Sequence, residues 1–115
     1  MPVTPATFRR IALSLPEASE AAHMGHPDFR VHNKIFATLG SPDREWSSLK
    51  LTVEQQEVLQ AAEPGAFKPA AGAWGRRGWT HMRLAAVDAT TAKSALGMAW
   101  RNTAPKTLQS RHADG

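Results

Sequence analysis

His23, His26 and Asp28 are the only residues in the chain whose types and spacing resemble a metal-ligand set. A His-x-x-His pair can bring two imidazoles together, but a closed site needs further ligands, and no cysteine or additional histidine follows at a matching interval. The residues around them, Gly25-His26-Pro27-Asp28, read as a turn in which Asp28 bonds the backbone. A metal and a cofactor are therefore not expected. The chain has no cysteine, which excludes disulfides, thiolate zinc sites and thiol nucleophiles together. None of its serines lies in a Gly-x-Ser-x-Gly elbow. Gly72-x-x-Gly75-x-x-Gly78 is regularly spaced, but it precedes a strand and lacks the Gly-Lys-Ser/Thr of a phosphate loop. No catalytic residue is nominated, and enzymatic activity ranks last among the function classes.

The other distinctive segment is Ala73-Trp74-Gly75-Arg76-Arg77-Gly78-Trp79. It lies in a stretch between Glu63 and Asp88 that contains no acidic residue and holds Lys68, Arg76, Arg77 and Arg83. The whole chain carries a formal charge of +4, so this stretch can account for the imbalance. Arginine forks grip phosphates, and an exposed indole can stack on a base. The chemistry expected from this pattern is weak, salt-sensitive, non-specific binding of double-stranded DNA. Arg76 and Arg77 would make the phosphate contacts, supported by Lys34, Lys50, Lys68, Arg83 and Trp74. The alternative is a small-ligand or protein-binding domain that uses an open sheet face, with His26, Arg30, Phe67 and Trp74 as its site. A cavity lined by Trp74, Phe67 and Arg30 favours the second reading, and a flat, uniformly positive surface favours the first.

These residues need elements to hold them. Thr4 and Pro5 open a helix whose Phe8, Ile11, Ala12 and Leu15 share one face, and Pro16 ends it. Residues 17–24 read as an edge strand. Phe29 and Val31 alternate with Arg30, His32-Asn33-Lys34 makes a tight turn, and Ile35, Ala37 and Leu39 continue on one face of a second strand, with Phe36 and Thr38 on the other. Gly40-Ser41-Pro42-Asp43 signals another turn, and Leu49 and Leu51 alternate with Ser48 and Lys50. Thr52 and Gln55 have capping-box spacing for a helix with Val58, Leu59 and Ala62 as its buried face, stopped by Pro64-Gly65. Residues 66–78 read as a loop and Trp79 to Leu84 as a strand. Asp88 or Thr90 caps a last helix that buries Ala92, Ala95, Leu96, Ala99 and Trp100, with Gly97 allowing another element to approach.

With 115 residues, 42% apolar and 21% charged, the chain has ordinary globular proportions. Strands in close succession imply an antiparallel meander, and the irregular order of helices and strands speaks against a doubly wound sheet. The expected fold class is α+β in two layers, an antiparallel sheet with helices packed mainly on one face. Residues 1–105 are read as one domain and 106–115 as a flexible tail. No apolar run approaches the ~20 residues of a membrane span. Met1-Pro2-Val3-Thr4-Pro5 lacks the pattern of a signal peptide, so the expected location is cytoplasmic.

Taken in order, several stretches resemble a known family. They are Ala12-Leu13-Ser14-Leu15-Pro16-Glu17, Gly25-His26-Pro27-Asp28-Phe29-Arg30-Val31 and Lys34-Ile35-Phe36-Ala37-Thr38-Leu39. Leu49-Lys50-Leu51, Phe67-Lys68-Pro69, Trp74-Gly75, Gly78-Trp79-Thr80 and Ala99-Trp100-Arg101 follow. Together they are similar to the MmcQ/YjbR family of small bacterial proteins, from about Phe8 to Leu108. The resemblance implies helices against an antiparallel sheet and, through fold analogy to a double-wing arrangement, DNA binding. The two wings would fall near His32-Asn33-Lys34 and Gly75-Arg76-Arg77-Gly78. It supplies no catalytic residues.

Overall fold

The computed structural model describes residues 2–23, 25–40 and 43–113. The elements are α1 (Pro5–Ser14), β1 (Ala18–His23), β2 (His26–Val31), β3 (Lys34–Leu39), β4 (Trp46–Lys50), α2 (Val53–Ala62), β5 (Phe67–Pro69), α3 (Gly72–Arg76), β6 (Trp79–Arg83), α4 (Ala89–Thr103) and α5 (Lys106–Ala113). A 3-10 turn, Leu84–Ala86, joins β6 to α4. The six strands form one antiparallel sheet in the order β1-β2-β3-β4-β6-β5. The fold is mixed α+β, as the element order implies.

Local chemistry sets most element ends. Thr4 accepts a hydrogen bond from the Thr7 amide, with Pro5 at the first helical position. Thr52 and Gln55 close both halves of a capping box at α2. Asp88 caps α4 through the Thr91 amide, and those hydrogen bonds hold its carboxyl below the usual carboxylate range. The β2–β3 connection is a two-residue turn, with φ of 50° at His32 and 66° at Asn33. Positive φ at both central residues is the hairpin geometry that matches strand twist. Lys34 is thus the first residue of β3 rather than part of the turn. Ser41 and Pro42 of the next expected turn, and Met24 at the end of the expected edge strand, lie outside the described residues.

Strand register decides which side chains face the helices. Phe29 pairs with Ala37, Ala37 with Leu49, and Leu49 with Thr80, so all four share a face. The β2–β3 ladder slips at Phe29/Arg30, which pair with Ala37 and Ile35 and leave Phe36 as the extra residue. This bulge overturns the expected alternation: Phe36 joins Ala37 in the core, each fully buried, and Ile35 turns to the face expected for Phe36. α1 packs on α4 and β1, and α4 packs on β3 and β4. Phe8 meets Phe29 edge to face at 5.8 Å, and the Trp100 indole donates to the Pro16 carbonyl at 2.9 Å.

Five further local readings change. Val58 and Ala62 of α2 are exposed, and the buried residue is Gln56. Gln56 is buried because its amide donates to backbone carbonyls of α3 and β6, a contact an apolar side chain cannot make. Residues 66–78 are not a loop but carry β5 and α3. His26, Pro27 and Asp28 belong to β2 rather than to a turn, and Asp28 bonds a side chain instead of turn backbone. Gly97 is buried, yet an added Cβ there would meet only the Arg101 side chain, at 3.6 Å, so no other element uses its small size. In place of a frayed tail, α5 seats Leu108 in the core, and the Gln109 amide bonds the Ala104 carbonyl at 2.7 Å.

Candidate ligand pocket on the uncovered sheet face

The side chains that alternate with the core residues point to the opposite face. Thr38, Ser48, His81 and Lys68 stand directly across from one another on β3, β4, β6 and β5. Lys50 and Trp79 pair in the neighbouring row. Over this floor lies a cavity of about 750 Å³. Thr38, Ser48 and His81 line its base, Ile35 and Trp79 its flank, and Trp74 one wall, while Asn33 and Lys34 form the lip at the β2–β3 turn. Among the described residues no carboxylate lines it.

α3 exists here because glycine lets it fit. A Cβ on Gly75 would run into the Ala70 carbonyl, and one on Gly78 into that of Leu51. Gly78 also has φ of 104°, a region open mainly to glycine. The Gln56 amide then bonds the Gly75 and Trp79 carbonyls and the Thr80 hydroxyl, each at 3.1 Å, tying α2 to α3 and β6. This holds Trp74 edge to face with Trp79, ring centres 6.1 Å apart. Trp74 remains 61% exposed, a large apolar surface with no protein partner covering most of it.

The polar groups of the floor are specific. Ser48 Oγ lies 2.8 Å from His81 Nδ1. Burial, and secondarily the nearby Lys68 charge, lowers the His81 pKa, so the ring is neutral at pH 7 and can donate or accept at Nε2. A hydroxyl beside a neutral imidazole can pass a proton, but among the described residues no carboxylate bonds His81 to orient it. Thr38 Oγ1 is buried and has no hydrogen-bond partner. Lysines frame the floor: Lys50 Nζ sits 5.6 Å from the centre of the Trp79 ring, and Lys68 Nζ sits 4.4 Å from that of Trp46.

Of the proposed phosphate-contacting set, Lys34 and Trp74 line the cavity, and Lys50 and Lys68 flank it. Arg76 and Arg77 are exposed at the end of α3 and make no ion pair among the described residues. Arg83 lies 3.9 Å from Glu45. Of His26, Arg30, Phe67 and Trp74, only Trp74 lines the cavity. Phe67 is 1% exposed and faces the core, because it pairs with Met82, itself fully buried. Arg30 grips the buried Asp28 through two bonds of 2.8 and 3.0 Å, chiefly a hydrogen-bonding effect that raises its pKa further. His26 is exposed, and among the described residues no three His, Cys, Asp or Glu cluster; the side chain of His23 lies outside what is described. Sequence reading missed Thr38, Ser48, His81, Ile35 and Asn33 as site residues. The available signal was the strand alternation that puts them opposite Ala37, Leu49, Thr80 and Met82.

A family model described as YjbR matches residues 13–102, most of the chain. The chain belongs to the YjbR family. A solved YjbR-type relative, the Deinococcus radiodurans protein DR2400, of the domain family DUF419, superposes with a TM-score of 0.72. It is 21% identical, over 85% of this chain and 76% of that one, a likeness that shows the shared fold. No curated protein matches. In this YjbR-family chain no helix among the described residues is long and apolar enough to cross a membrane.

Proposed function

We propose that this YjbR-family chain is a cytoplasmic binding module for a small planar ligand, taken up by the cavity on the uncovered sheet face. The observation that carries this is the cavity itself. About 750 Å³ of space stands between two tryptophans and a floor that carries the Ser48 hydroxyl and the His81 ring. Small-molecule sites are mostly apolar concavities of about 300–1,000 Å³ with a few placed polar groups. The test is intrinsic tryptophan fluorescence during titration with small aromatic compounds such as indole and quinoline, on the wild type and Trp74→Ala. Saturable binding lost in Trp74→Ala supports the module. Absence of binding, or binding indifferent to that substitution, refutes it.

A second reading keeps nucleic acid as the partner. It is favoured by Arg76 and Arg77, exposed beside Trp74 and without an ion-pair partner among the described residues. Lys34, Lys50, Lys68 and Arg83 would add phosphate contacts to double-stranded DNA. Fluorescence anisotropy of labelled duplex at several salt concentrations tests it. Arg76→Ala/Arg77→Ala should weaken binding and flatten the salt slope by up to about 2 phosphate contacts. Binding unchanged by the double substitution removes those arginines from the interface.

A further inference from the structure

We infer that the pocket takes a planar heteroaromatic ring bearing an anionic tail, the chemistry of a mononucleotide; this rests on the pocket reading above. Each part of the ligand answers a feature of the site.

The ring answers the indoles. Trp74 and Trp79 meet edge to face, so an inserted flat ring can stack on one and meet the edge of the other. The heteroatoms answer the floor. His81 lines the floor, and with Nδ1 engaged by Ser48 its Nε2 can bond an in-plane nitrogen or oxygen of the ring, which a hydrocarbon ring lacks. The anion answers the lysines. Lys34 is at the lip, Lys50 lies beside Trp79 and Lys68 lies across from His81, with no carboxylate in the lining among the described residues. A cation would meet only like charge there, whereas an anion is attracted. The ring also sits deep while the charge stays at the rim, where a phosphate keeps part of its hydration. The cavity volume of about 750 Å³ suits a base, sugar and phosphate rather than a single ring.

The experiment is isothermal titration of the full chain with AMP, GMP, CMP and UMP, their nucleosides, inorganic phosphate and indole. At least one nucleotide should bind, its nucleoside at least roughly tenfold more weakly because charge-assisted bonds are lost, and phosphate alone should not register. Lys34→Ala/Lys50→Ala should erase the advantage of the nucleotide over its nucleoside. His81→Phe should weaken nucleotide and nucleoside alike, and thermal melting of each variant confirms that it folds. Equal affinity for nucleotide and nucleoside overturns the inference. Failure of every nucleotide while indole binds in a Trp74-dependent way also overturns it but leaves the pocket reading standing. Failure of indole and nucleotides together removes both.

Discussion

Gln56→Leu separates the packing seen in the structure from the apolar face that helical periodicity assigns to α2. The Gln56 amide carries two N–H donors and points at three acceptors, the Gly75 and Trp79 carbonyls and the Thr80 hydroxyl. Leucine nearly matches its volume but donates nothing. The carbonyls are not orphaned by the change. Gly75 still accepts from the Gly78 amide at 3.0 Å, and Trp79 from the Ala70 amide at 2.9 Å. Thr80 still donates to Gly78. The loss is therefore about two net hydrogen bonds at ~1 kcal/mol each, or about 2 kcal/mol, below the full penalty for stranded groups. In urea this lowers the unfolding midpoint by about 1 M at an ordinary slope for a small domain. Val58→Ala on the same helix is the control: Val58 is 65% exposed, and its truncation should stay within about 0.5 kcal/mol. A Gln56→Leu midpoint equal to wild type, or a larger loss in Val58→Ala, would refute the reasoning. Since Gln56 anchors α3, its loss should also weaken any ligand that depends on Trp74.

Three further outcomes follow from the geometry. Leu108→Ala should cost about 2–5 kcal/mol in chemical denaturation, because Leu108 is 1% exposed in the core; a change no larger than a surface substitution would mean that α5 does not hold the fold. Gly75→Ala places a methyl group against the Ala70 carbonyl, and calorimetry should show a loss of about 1–3 kcal/mol as α3 shifts. His81 has a pKa below its ordinary 6.5, from burial first and the Lys68 charge second, so the unfolded chain takes up this proton before the folded one does. Its stability contribution is complete above about pH 6.5 and is lost as the pH falls toward the folded value. Urea midpoints between pH 7.5 and 5 should fall less steeply in His81→Gln than in wild type.

Much of the scaffold follows from local chemistry. Thr4-Pro5, Thr52 with Gln55, and Asp88 are caps because side-chain oxygens sit where helix amides lack partners, and the structure uses all three. The alternation of Phe29, Val31, Ala37, Leu39 and Leu49 marks strands, and Ala92, Ala95, Leu96, Ala99 and Trp100 mark one buried helix stripe. Short-range rules suffice there because the partner of each group lies within four residues, or because burial follows a fixed period.

The pocket depends on contacts between residues far apart in the chain. Trp74 and Lys34 were legible as candidates from their types alone. Thr38, Ser48 and His81 became a single row only when β3, β4 and β6 paired in one register, and one residue of slip would have turned them into the core. The β2–β3 bulge similarly decides that Phe36 faces inward and Ile35 outward. Gln56 breaks the apolar stripe of α2, so periodicity passes over it; its role appears only when α3 and β6 present their carbonyls. Phe67 looked like a ligand-site aromatic until pairing with Met82 turned it to the core. By itself the sequence determined the helices, most of the strands, the basic character and the absence of thiol chemistry, all properties of residues and their near neighbours. The tertiary structure alone decided which sheet face stays uncovered and which polar side chains meet there, because register and long-range packing have no local signature.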